Sequence, residues 1–551
     1  MVDLTLYGGV GEIGGNKILV EHRGTRLMLD FGTRMDFASR FFSEYLDVRS
    51  NTELRDKLLI GALPLVPGIY REDMICPAGA ECLSNGGYGR IISPSSKMLA
   101  IPGLITYQDF FQKHGRSYVD AILLSHAHLD HSGDLGYFHP AVPLYCSETT
   151  RTLVEAIDDV SAFKSQALRS KMSSITFTKK GALPGSLKVE HKQQLVRECH
   201  VLEDCKATEL GAFQVTMVEV DHSVPGAASY VLECDVSGRP FRILYTGDIR
   251  FHGTRGTTID DYVRAIGEGV DLMLCEGTRI DSNKRLSEEM VYAKIAAEIA
   301  ATAGVAFVDF SWKDTTRYET IMKAANACGR TFIINARLAY LLNKLGLTPL
   351  PDHVKVFLKR KGSCFYSPAD YSLYKHEYGY SVDPDSWTTD SSHYDNGVVA
   401  EEIMADPGHY VLMLSYYDLG QVFDLADERG KIPGSRFIRA QCEPFSDEME
   451  LDEERLINWL DAFGISYILS ETPLPAGCSN PGCSKLKRRI DRSHVSGHAS
   501  RPELLELISK INPRMVIPIH TERPEAFEEL VNESGLNTNV IIPALGKTYT
   551  F

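Results

Sequence analysis

Residues 121–138, AILLSHAHLDHSGDLGYF, contain the side chains of the sequence that are best suited to metal chemistry. An apolar segment, which we interpret as a buried strand, runs directly into His126, His128, Asp130 and His131. No helix would point all four the same way, because neighbours two positions apart diverge on a 3.6-residue period. A loop leaving a strand can turn them around one or two ions, and imidazole with carboxylate suits zinc or manganese. We therefore predict a metal site here.

Further candidate ligands follow other apolar segments. They are His222 in VEVDHSVPG, Asp248 in YTGD and His520 in VIPIHTE. A single histidine beside a strand is more often structural or solvated than a ligand, so none of the three decides the matter alone. Added to the cluster at 126–131, they would complete the ligand sets of two ions that lie a few ångströms apart and share a bridging carboxylate.

The elements that must position these residues begin with a strand-rich α/β unit. Glycine-broken apolar segments predict short strands, one ending at Asp30 and another at Glu276. Strands are also predicted at 212–220 and 229–235, and a helix near 148–170. The first part of the chain is thus predicted to be mixed α/β.

The pattern changes after about residue 283. Helices and short buried strands then alternate to roughly residue 475, which predicts a separate parallel α/β unit. The last segment is predicted to return to strand, helix and strand, in RSHVSGHAS, RPELLELISKI and RMVIPIHTERPEAF.

Composition narrows the functional class only slightly. A chain of 551 residues suggests two or three units, and 44% hydrophobic with 24% charged residues is ordinary for a globular protein. No apolar run is long enough to cross a bilayer, no signal-peptide pattern opens the sequence, and 12 scattered cysteines favour a reducing compartment. We therefore expect a cytoplasmic protein that does not bind membranes. The net charge of −15 argues against nucleic-acid binding by the whole surface but leaves room for a local basic groove.

The order of the motifs resembles a known family. SHAHLDH matches the H-x-H-x-D-H signature of the metallo-β-lactamase fold, and Asp30, His222 and Asp248 match its remaining motifs in order. Glu276 in CEGT, His498 in VSGHAS and His520 in PIHTE resemble the extra motifs of the β-CASP nucleases. The likeness is to ribonuclease J and its archaeal and bacterial relatives. Histidine at the last motif resembles the RNA-acting members, since DNA-acting relatives typically carry valine there.

The resemblance implies a fold and a domain order. The fold class is α/β, as an αββα metallo-β-lactamase sandwich with its metal site at one edge and an inserted β-CASP α/β domain. The sandwich would comprise residues 1–282 and 476–551, and the β-CASP domain residues 283–475. Residues 35–118 are longer than the family usually has there, so we interpret them as an insertion that forms a lid or a wall of an RNA channel.

The resemblance also assigns roles to the site residues. It implies two zinc ions per chain, with manganese as the alternative. His126, His128 and His222 would hold one ion, Asp130, His131 and His520 the second, and Asp248 would bridge them. Asp30 would lie outside the ligands and orient an imidazole. The catalytic residues would be Asp130, Glu276 and His498, and the substrate phosphate would contact Ser496, Gly497, His498, Ala499 and Ser500.

The implied function is hydrolysis of RNA by a hydroxide that two metals activate, in RNA processing or decay. A DNA nuclease of the same family is an alternative, as is an inactive RNA-binding subunit. A hydrolase of small esters or thioesters would use the same ligands but has no need of Glu276, His498 and the long 283–475 unit. RNA is the expected partner, a homodimer is left open, and neither the exonuclease or endonuclease mode nor the 5′-end preference follows from the sequence.

Two segments near the end of the chain allow more than one interpretation. SGHAS could be only a turn before a helix at 501–511, with Ser500 as N-cap, or its N–H groups could bind phosphate. The basic run KLKRR, residues 485–489, could follow a nucleic-acid backbone or simply be solvated. Cysteines in the insertion and before the basic run could hold a structural zinc, although free thiols are the more frequent case: Cys76, Cys82, Cys478 and Cys483.

Overall fold

The computed structural model describes most of the chain. Its gaps are residues 43–45, 50–51, 76–100, 161–166, 178–186, 285, 348–349, 359–396, 445–446 and 471–488. All four cysteines of the hypothetical zinc site, and residues 485–488 of the basic run, lie outside the described residues. Within the described part of the chain, no helix has both the length and the apolar character needed to cross a membrane.

Two seven-stranded sheets form the larger part of the molecule. In the first, the order is β22-β1-β2-β3-β4-β5-β8, with β1 (Val2–Gly8), β2 (Lys17–His22), β3 (Thr25–Leu29), β4 (Ala121–Leu123), β5 (Leu144–Cys146), β8 (Cys199–Val201) and β22 (Thr548–Thr550). In the second, the order is β21-β20-β13-β12-β11-β10-β9, with β9 (Ala207–Leu210), β10 (Phe213–Glu219), β11 (Ala228–Val236), β12 (Arg239–Tyr245), β13 (Leu272–Glu276), β20 (Met515–Ile519) and β21 (Asn539–Val540).

The two sheets pack face to face through one apolar core. Leu4 and Leu6 of β1 contribute to it from the first sheet, and Val215 and Met217 of β10 from the second. In β10 these buried positions alternate with more exposed ones, as expected for a strand with one face in the core. The strands predicted at 212–220 and 229–235 are β10 and β11.

Helices cover the outer faces of both sheets, which gives the four-layer order α, β, β, α. The apolar residues that pack on the first sheet come from α2 (Glu53–Leu59), α3 (Tyr107–His114) and α5 (Glu148–Val160), among others. Those on the second come from α6 (Ile259–Ile266), α12 (Arg501–Ile511) and α13 (Ala526–Ser534). The remaining short helices of the sandwich are α1 (Met35–Ser39), α4 (Leu129–Ser132) and the 3₁₀ helices Glu72–Met74 and Leu135–Tyr137.

The segment interpreted as an insertion contributes to this packing. Leu54, Leu58, Val66 and Tyr70 are fully or almost fully buried, in the core beneath the first sheet. The described part of 35–118 is therefore integrated into the sandwich, so its removal would expose that core.

A third sheet has six parallel strands, in the order β17-β16-β15-β18-β14-β19. The strands are β14 (Ala306–Asp309), β15 (Thr331–Ile334), β16 (Val354–Phe357), β17 (Gly397–Val398), β18 (Tyr410–Met413) and β19 (Arg436–Arg439). We call the sheet and its helices the six-stranded unit. One face packs against α7 (Glu288–Ala300), α8 (Thr315–Ala327) and α9 (Ala336–Lys344). The other packs against α10 (Ala400–Ala405), the 3₁₀ helix Tyr416–Leu425 and α11 (Asp447–Phe463). A further 3₁₀ helix is Pro407–His409.

Two predicted elements differ from the structure. The helix predicted near 148–170 ends at Val160, and β6 (Arg169–Phe177) then pairs with β7 (Leu187–Val196) in a separate two-stranded sheet. The Asp158 carboxylate accepts the backbone N–H groups of Leu168 and Arg169 at 2.8 and 3.1 Å, which turns the chain back after the helix.

The strand predicted in RSHVSGHAS is also wrong. Within the described residues this segment makes only isolated bridges, Arg439 to Arg492 and Arg279 to Ser500. Its backbone donates to loops and side chains instead, as when Ala499 N–H donates to Ile249 O at 2.7 Å. The segment is thus a loop that joins the six-stranded unit to the sandwich.

Candidate metal centre

The predicted ligands meet at one edge of the sandwich because each follows the end of a strand. His126 and His128 follow β4, and the short helix α4 presents Asp130 and His131. Strands β10, β12 and β20 run in the same direction, as the antiparallel and parallel pairings of the second sheet require. Their carboxyl ends therefore share an edge, and the residues just beyond them join the same cluster: His222, Asp248 and His520.

One half of the cluster is rich in nitrogen. We call it the histidine half: His126, His128 and His222, together with Asp248. The His128 Nδ1 lies 3.0 Å from His126 Nε2 and 3.1 Å from His222 Nε2. The Asp248 Oδ2 lies 3.6 and 3.7 Å from the same two Nε2 atoms. A tetrahedral zinc ion with bonds of about 2.0–2.1 Å to nitrogen holds neighbouring ligand atoms about 3.4 Å apart, so these separations fit one ion.

The other half contains two carboxylates. We call it the carboxylate half: Asp130, His131 and His520, together with the same Asp248. The Asp248 Oδ2 lies 3.1 Å from His131 Nε2 and 3.6 Å from His520 Nε2. The Asp130 Oδ2 lies 3.2 Å from His520 Nε2 and 3.8 Å from His131 Nε2. Asp248 thus stands in both halves, where a bridging ligand would have to be.

Unpaired buried atoms test whether these residues fit metal ions. Both carboxylate oxygens of Asp248 and the Nε2 of His131 are buried and have no hydrogen-bond partner among the described residues. An unpaired buried carboxylate is costly unless a cation or a donor compensates its charge. The atoms without partners are those that face the centre of the cluster, so the donor set fits divalent cations.

Hydrogen bonds on the far side of the rings orient several ligands. The Nδ1 of His131 donates to Asp30 Oδ2 at 2.7 Å, and the Nδ1 of His222 donates to the Gly497 carbonyl at 2.6 Å. The Nδ1 of His520 lies 2.8 Å from Thr278 Oγ1. Each contact leaves the Nε2 lone pair directed at the cluster, which is how outer residues prepare metal ligands.

Asp30 is itself held by several donors. Its carboxylate accepts the Ser125 N–H at 2.7 Å, the Ser125 hydroxyl at 2.6 Å and the Tyr245 hydroxyl at 2.5 Å. Its φ is 55°, in the left-handed region that non-glycine residues rarely occupy, and the φ of His520 is 52°. Such strain persists where the surroundings determine the conformation, often at functional sites.

The electrostatics differ between the halves. Burial and the neighbouring imidazoles lower the pKa of His126 and His222 well below the usual value, although Asp248 opposes this shift. Burial also lowers the pKa of His128, to about 3. In the carboxylate half, burial lowers the pKa of His131, but the charges of Asp248, Asp130 and Asp30 outweigh burial and raise it. The histidine half therefore offers neutral imidazoles, which is the state that binds a metal.

His498 and Glu276 stand beside the bridging aspartate. The His498 Nδ1 is 3.5 Å from Glu276 Oε1 and 4.0 Å from Asp248 Oδ2. Burial lowers the pKa of His498, but the charges of Glu276 and Asp248 outweigh it and raise the pKa above the usual value. Glu276 is fully buried and also accepts the Thr278 N–H at 3.0 Å. The ring of His498 is partly exposed, so a substrate can reach it.

Three amides of the SGHAS loop, those of His498, Ala499 and Ser500, donate hydrogen bonds within the chain. His498 N–H donates to Ser496 Oγ at 3.2 Å, and Ser500 N–H donates to Glu503 at 2.7 Å. Ala499 and Ser500 are fully buried. Ser500 is the N-cap of α12, as one of the two interpretations predicted. The amides of His498, Ala499 and Ser500 therefore have partners within the chain, and a phosphate contact of the loop stays a prediction that its partly exposed residues, His498 and Ser496, would carry.

Comparisons with known proteins point to one family. Residues 100–308 match a β-lactamase superfamily domain, and residues 485–543 match a Zn-dependent metallo-hydrolase RNA specificity domain. Ribonuclease J of Pyrococcus abyssi is 21% identical over 97% of this chain and 93% of its own. Ribonuclease J of Sinorhizobium meliloti is 23% identical over 77% of this chain and 62% of its own. The chain is thus similar to ribonucleases J and contains matches to a β-lactamase superfamily domain and to an RNA specificity domain.

A solved structure agrees with this fold. A protein of unknown function from Enterococcus faecalis V583 aligns over 100% of this chain and 99% of its own, with a TM-score of 0.62 and 20% identity. The predicted α/β class with a metallo-β-lactamase sandwich is confirmed. The chain spans about three-fifths of the length of the first bacterial ribonucleases J that it matches, with 62% and 63% covered.

Sequence reasoning missed some groups that support the candidate metal centre. Thr278 is the last residue of the CEGT motif but was assigned no role, and its hydroxyl lies 2.8 Å from His520 Nδ1. Tyr245 is the first residue of the YTGD motif, and its hydroxyl donates to Asp30. Their place in a motif was the only available signal for both.

Proposed function

We propose that the chain is a metal-dependent ribonuclease that hydrolyses RNA phosphodiester bonds with two divalent ions, preferably zinc. The observation that carries the proposal is the pair of ligand groups that share Asp248, with His498 and Glu276 beside that carboxylate. A site for small esters or thioesters would need the metal ligands but would not need His498 and Glu276. The match to an RNA specificity domain over residues 485–543 supports RNA as the substrate class.

In this proposal, the ligands divide as the two halves suggest. The histidine half holds one ion and the carboxylate half holds the other, with Asp248 between them. Two bound divalent ions would lower the pKa of a coordinated water and add positive charge beside the phosphate. Asp30 holds the His131 ring in the orientation that presents Nε2 to the ions.

His498 is proposed to act on the substrate directly. Its raised pKa favours a protonated ring, which can bind a phosphate oxygen or donate a proton to the departing ribose oxygen. The Glu276 carboxylate, 3.5 Å from His498 Nδ1, favours the charged form of the ring. The substrate would lie between the sandwich, residues 1–282 and 476–551, and the β-CASP domain, residues 283–475.

The test is cleavage of matched substrates by the zinc-loaded chain. End-labelled single-stranded RNA and DNA of one sequence are incubated with wild type and with His498→Ala, and metal content is measured by mass spectrometry. RNA should be cut in a chelator-sensitive reaction. The variant should keep both ions and cut about a hundredfold more slowly or worse, as loss of a general acid typically does.

Two results would contradict the proposal. One is a wild-type chain that carries two ions and cuts neither RNA nor DNA. The other is faster cleavage of DNA than of RNA, which would favour a DNA nuclease of the same family. A time course of the products from end-labelled RNA then distinguishes exonuclease from endonuclease behaviour, and a comparison of 5′-monophosphate with 5′-triphosphate RNA gives the 5′-end preference.

A further inference from the structure

A cavity lies between the two chain segments that connect the sandwich to the six-stranded unit. One wall comes from residues 279–286, which follow β13, and another from residues 489–496, which follow α11. Its volume is about 470 Å³, which is within the range of pockets that bind small molecules. We call it the linker cavity.

The lining of the linker cavity has more cations than carboxylates. Its charged residues are Arg279, Lys284, Arg489, Arg492, Glu443 and Asp491. Arg489, Arg492 and Asp491 each form an ion pair with a residue outside the lining. Among the residues that the structure describes, Arg279 and Lys284 have no carboxylate within ion-pair distance, and Glu443 has no cation. Two unpaired cations therefore stand against one unpaired carboxylate, which favours an anionic ligand.

The guanidinium of Arg279 is held in place by uncharged acceptors. Its Nη1 donates to the His498 carbonyl at 3.2 Å, and its Nη2 donates to Ser282 Oγ at 3.1 Å and to the Lys284 carbonyl at 2.9 Å. These bonds leave the Nε hydrogen and one Nη1 hydrogen without an acceptor in the described part of the chain. A guanidinium that is already oriented loses little entropy when it binds a phosphate.

The linker cavity lies next to the metal centre. Ser496 lines the cavity and belongs to the SGHAS loop, where its hydroxyl accepts the His498 N–H at 3.2 Å. The next residue, Gly497, accepts the Nδ1–H of the candidate ligand His222 at 2.6 Å. Two residues of chain span at most about 7 Å, so one RNA strand can reach both Ser496 and His498.

We infer that the linker cavity binds a nucleotide of the RNA strand beside the scissile phosphate, with Arg279 and Lys284 contacting the phosphate of that nucleotide. The inference rests on the proposed function for its substrate. The wall of residues 489–496 lies within the match to an RNA specificity domain, residues 485–543. Leu286 and Ile490 add apolar surface to the lining, which a ribose or a base can contact.

An exposed thiol allows the occupant of the cavity to be located. Cys442 lines the linker cavity, and Cys205, which is also exposed, lies between β8 and β9 and serves as the internal control. The zinc-loaded His498→Ala chain, which turns over slowly, is treated with a maleimide with and without single-stranded RNA. Peptide mass spectrometry gives the modification rate of each thiol.

RNA in the linker cavity should slow the modification of Cys442 several-fold and leave the rate at Cys205 unchanged. An unchanged rate at Cys442 with saturating RNA would overturn the inference. Equal slowing at both thiols would also contradict it, because the effect would then not be specific to the cavity.

Charge variants measure the phosphate contact in the same background. Lys284→Gln is compared with Lys284→Arg and with Lys323→Gln, a control whose side chain on α8 is 62% exposed and 3.8 Å from Glu319. Anisotropy of a labelled RNA gives the Kd and the slope of log K against log salt. Lys284→Gln should weaken binding about tenfold and reduce the magnitude of the slope by about 0.7, the value for one contact on a single strand. Lys284→Arg should recover both, and Lys323→Gln should behave like the background.

A second variant adds a carboxylate to the cavity without removing a described hydrogen bond. Leu286 is exposed, so Leu286→Glu should leave the fold and the metal content unchanged while its charge repels phosphate. It should weaken RNA binding at least as much as Lys284→Gln does. Unchanged Kd and salt slope in both variants would overturn the inference.

Adenosine monophosphate allows the inference and the proposed function to fail separately. Protection of Cys442 by both adenosine monophosphate and RNA, with no RNA cleavage by the zinc-loaded wild type, would reject the ribonuclease and keep the cavity as a nucleotide site. Protection by adenosine monophosphate but not by RNA would reject the assignment to the RNA strand. RNA cleavage by the wild type, with no protection and with wild-type RNA affinity in Lys284→Gln and Leu286→Glu, would reject the role of the linker cavity alone.

Discussion

The two halves of the metal cluster share Asp248 but differ in their other ligands and in their electrostatics. The histidine half adds only imidazoles, whose pKa values are lowered by burial and by one another. The carboxylate half adds Asp130, and its charges raise the pKa of His131. Behind the rings, Asp30 supports His131, whereas a backbone carbonyl supports His222. In the proposed function, the two halves would therefore prefer different divalent ions.

In the proposed function, this difference explains how one edge of the sandwich would bind two cations close together. Two ions repel each other, and the repulsion is reduced when negative ligands are concentrated between and around one of them. Asp248 lies between the halves and Asp130 lies on one side only. We therefore expect the nitrogen-rich half to discriminate in favour of zinc and the half with two carboxylates to accept manganese more readily.

The largest effect should come from the residue common to both halves. Asp248→Asn keeps the size of the side chain but removes the charge, and Asp248 Oδ2 lies between 3.1 and 3.7 Å from His131 Nε2 and His222 Nε2. Bound metal should fall from two ions to fewer than one per chain, and RNA cleavage should fall by about a thousandfold or more. Mass spectrometry and single-turnover rates check this. Retention of both ions would show that Asp248 does not bridge them.

A smaller effect should distinguish the halves. His222→Ala and His520→Ala each remove one imidazole, so each variant should keep one ion and lose about a hundredfold in cleavage rate. The ion kept by His222→Ala should exchange readily between zinc and manganese, while that kept by His520→Ala should remain zinc in competition. Metal competition followed by mass spectrometry measures both.

The His520→Ala variant needs a control for backbone strain. His520 has a φ of 52°, where a β-carbon is strained, and Asn tolerates that region better than Ala. His520→Asn separates the loss of the ligand from the strain of the substitution. Equal metal preference in the two single-ion variants would remove the distinction between the halves.

The sequence allowed this cluster of candidate ligands to be predicted because its members follow apolar strand ends within short motifs. His222, Asp248 and His520 are far apart in the chain, but each lies just beyond a strand whose direction the sheet imposes. Thr278 lies in the CEGT motif, but its role could not be predicted, because a single hydroxyl gains its role only from its tertiary neighbours. Motifs at strand ends therefore predicted the cluster better than the groups that orient it.

The fold likewise contains elements that the local sequence predicts and others that depend on tertiary contacts. The parallel alternation after residue 283 was readable because each helix and strand has its own apolar period. The β6–β7 pair was missed, and there a long-range contact decides: Asp158 binds the amides of Leu168 and Arg169 after the helix. The burial of Leu54 and Tyr70 likewise comes from tertiary packing, so a deletion of residues 40–112 would remove core and not only a lid.

The smallest effect should come from an outer hydrogen bond of the carboxylate half. The Thr278 hydroxyl lies 2.8 Å from His520 Nδ1 and donates to the His520 carbonyl at 3.3 Å, so it can accept the ring N–H and leave Nε2 for an ion. Thr278→Val keeps the shape and removes both bonds, and loss of such a partner typically weakens metal affinity 10- to 100-fold. We expect about tenfold weaker binding of the second ion only, measured by chelator competition.

Ser223→Ala is the matched control in the histidine half, where the hydroxyl is 3.5 Å from His128 Nε2 and its loss should change metal affinity little. An equal loss in both variants would mean that the outer bonds do not separate the halves.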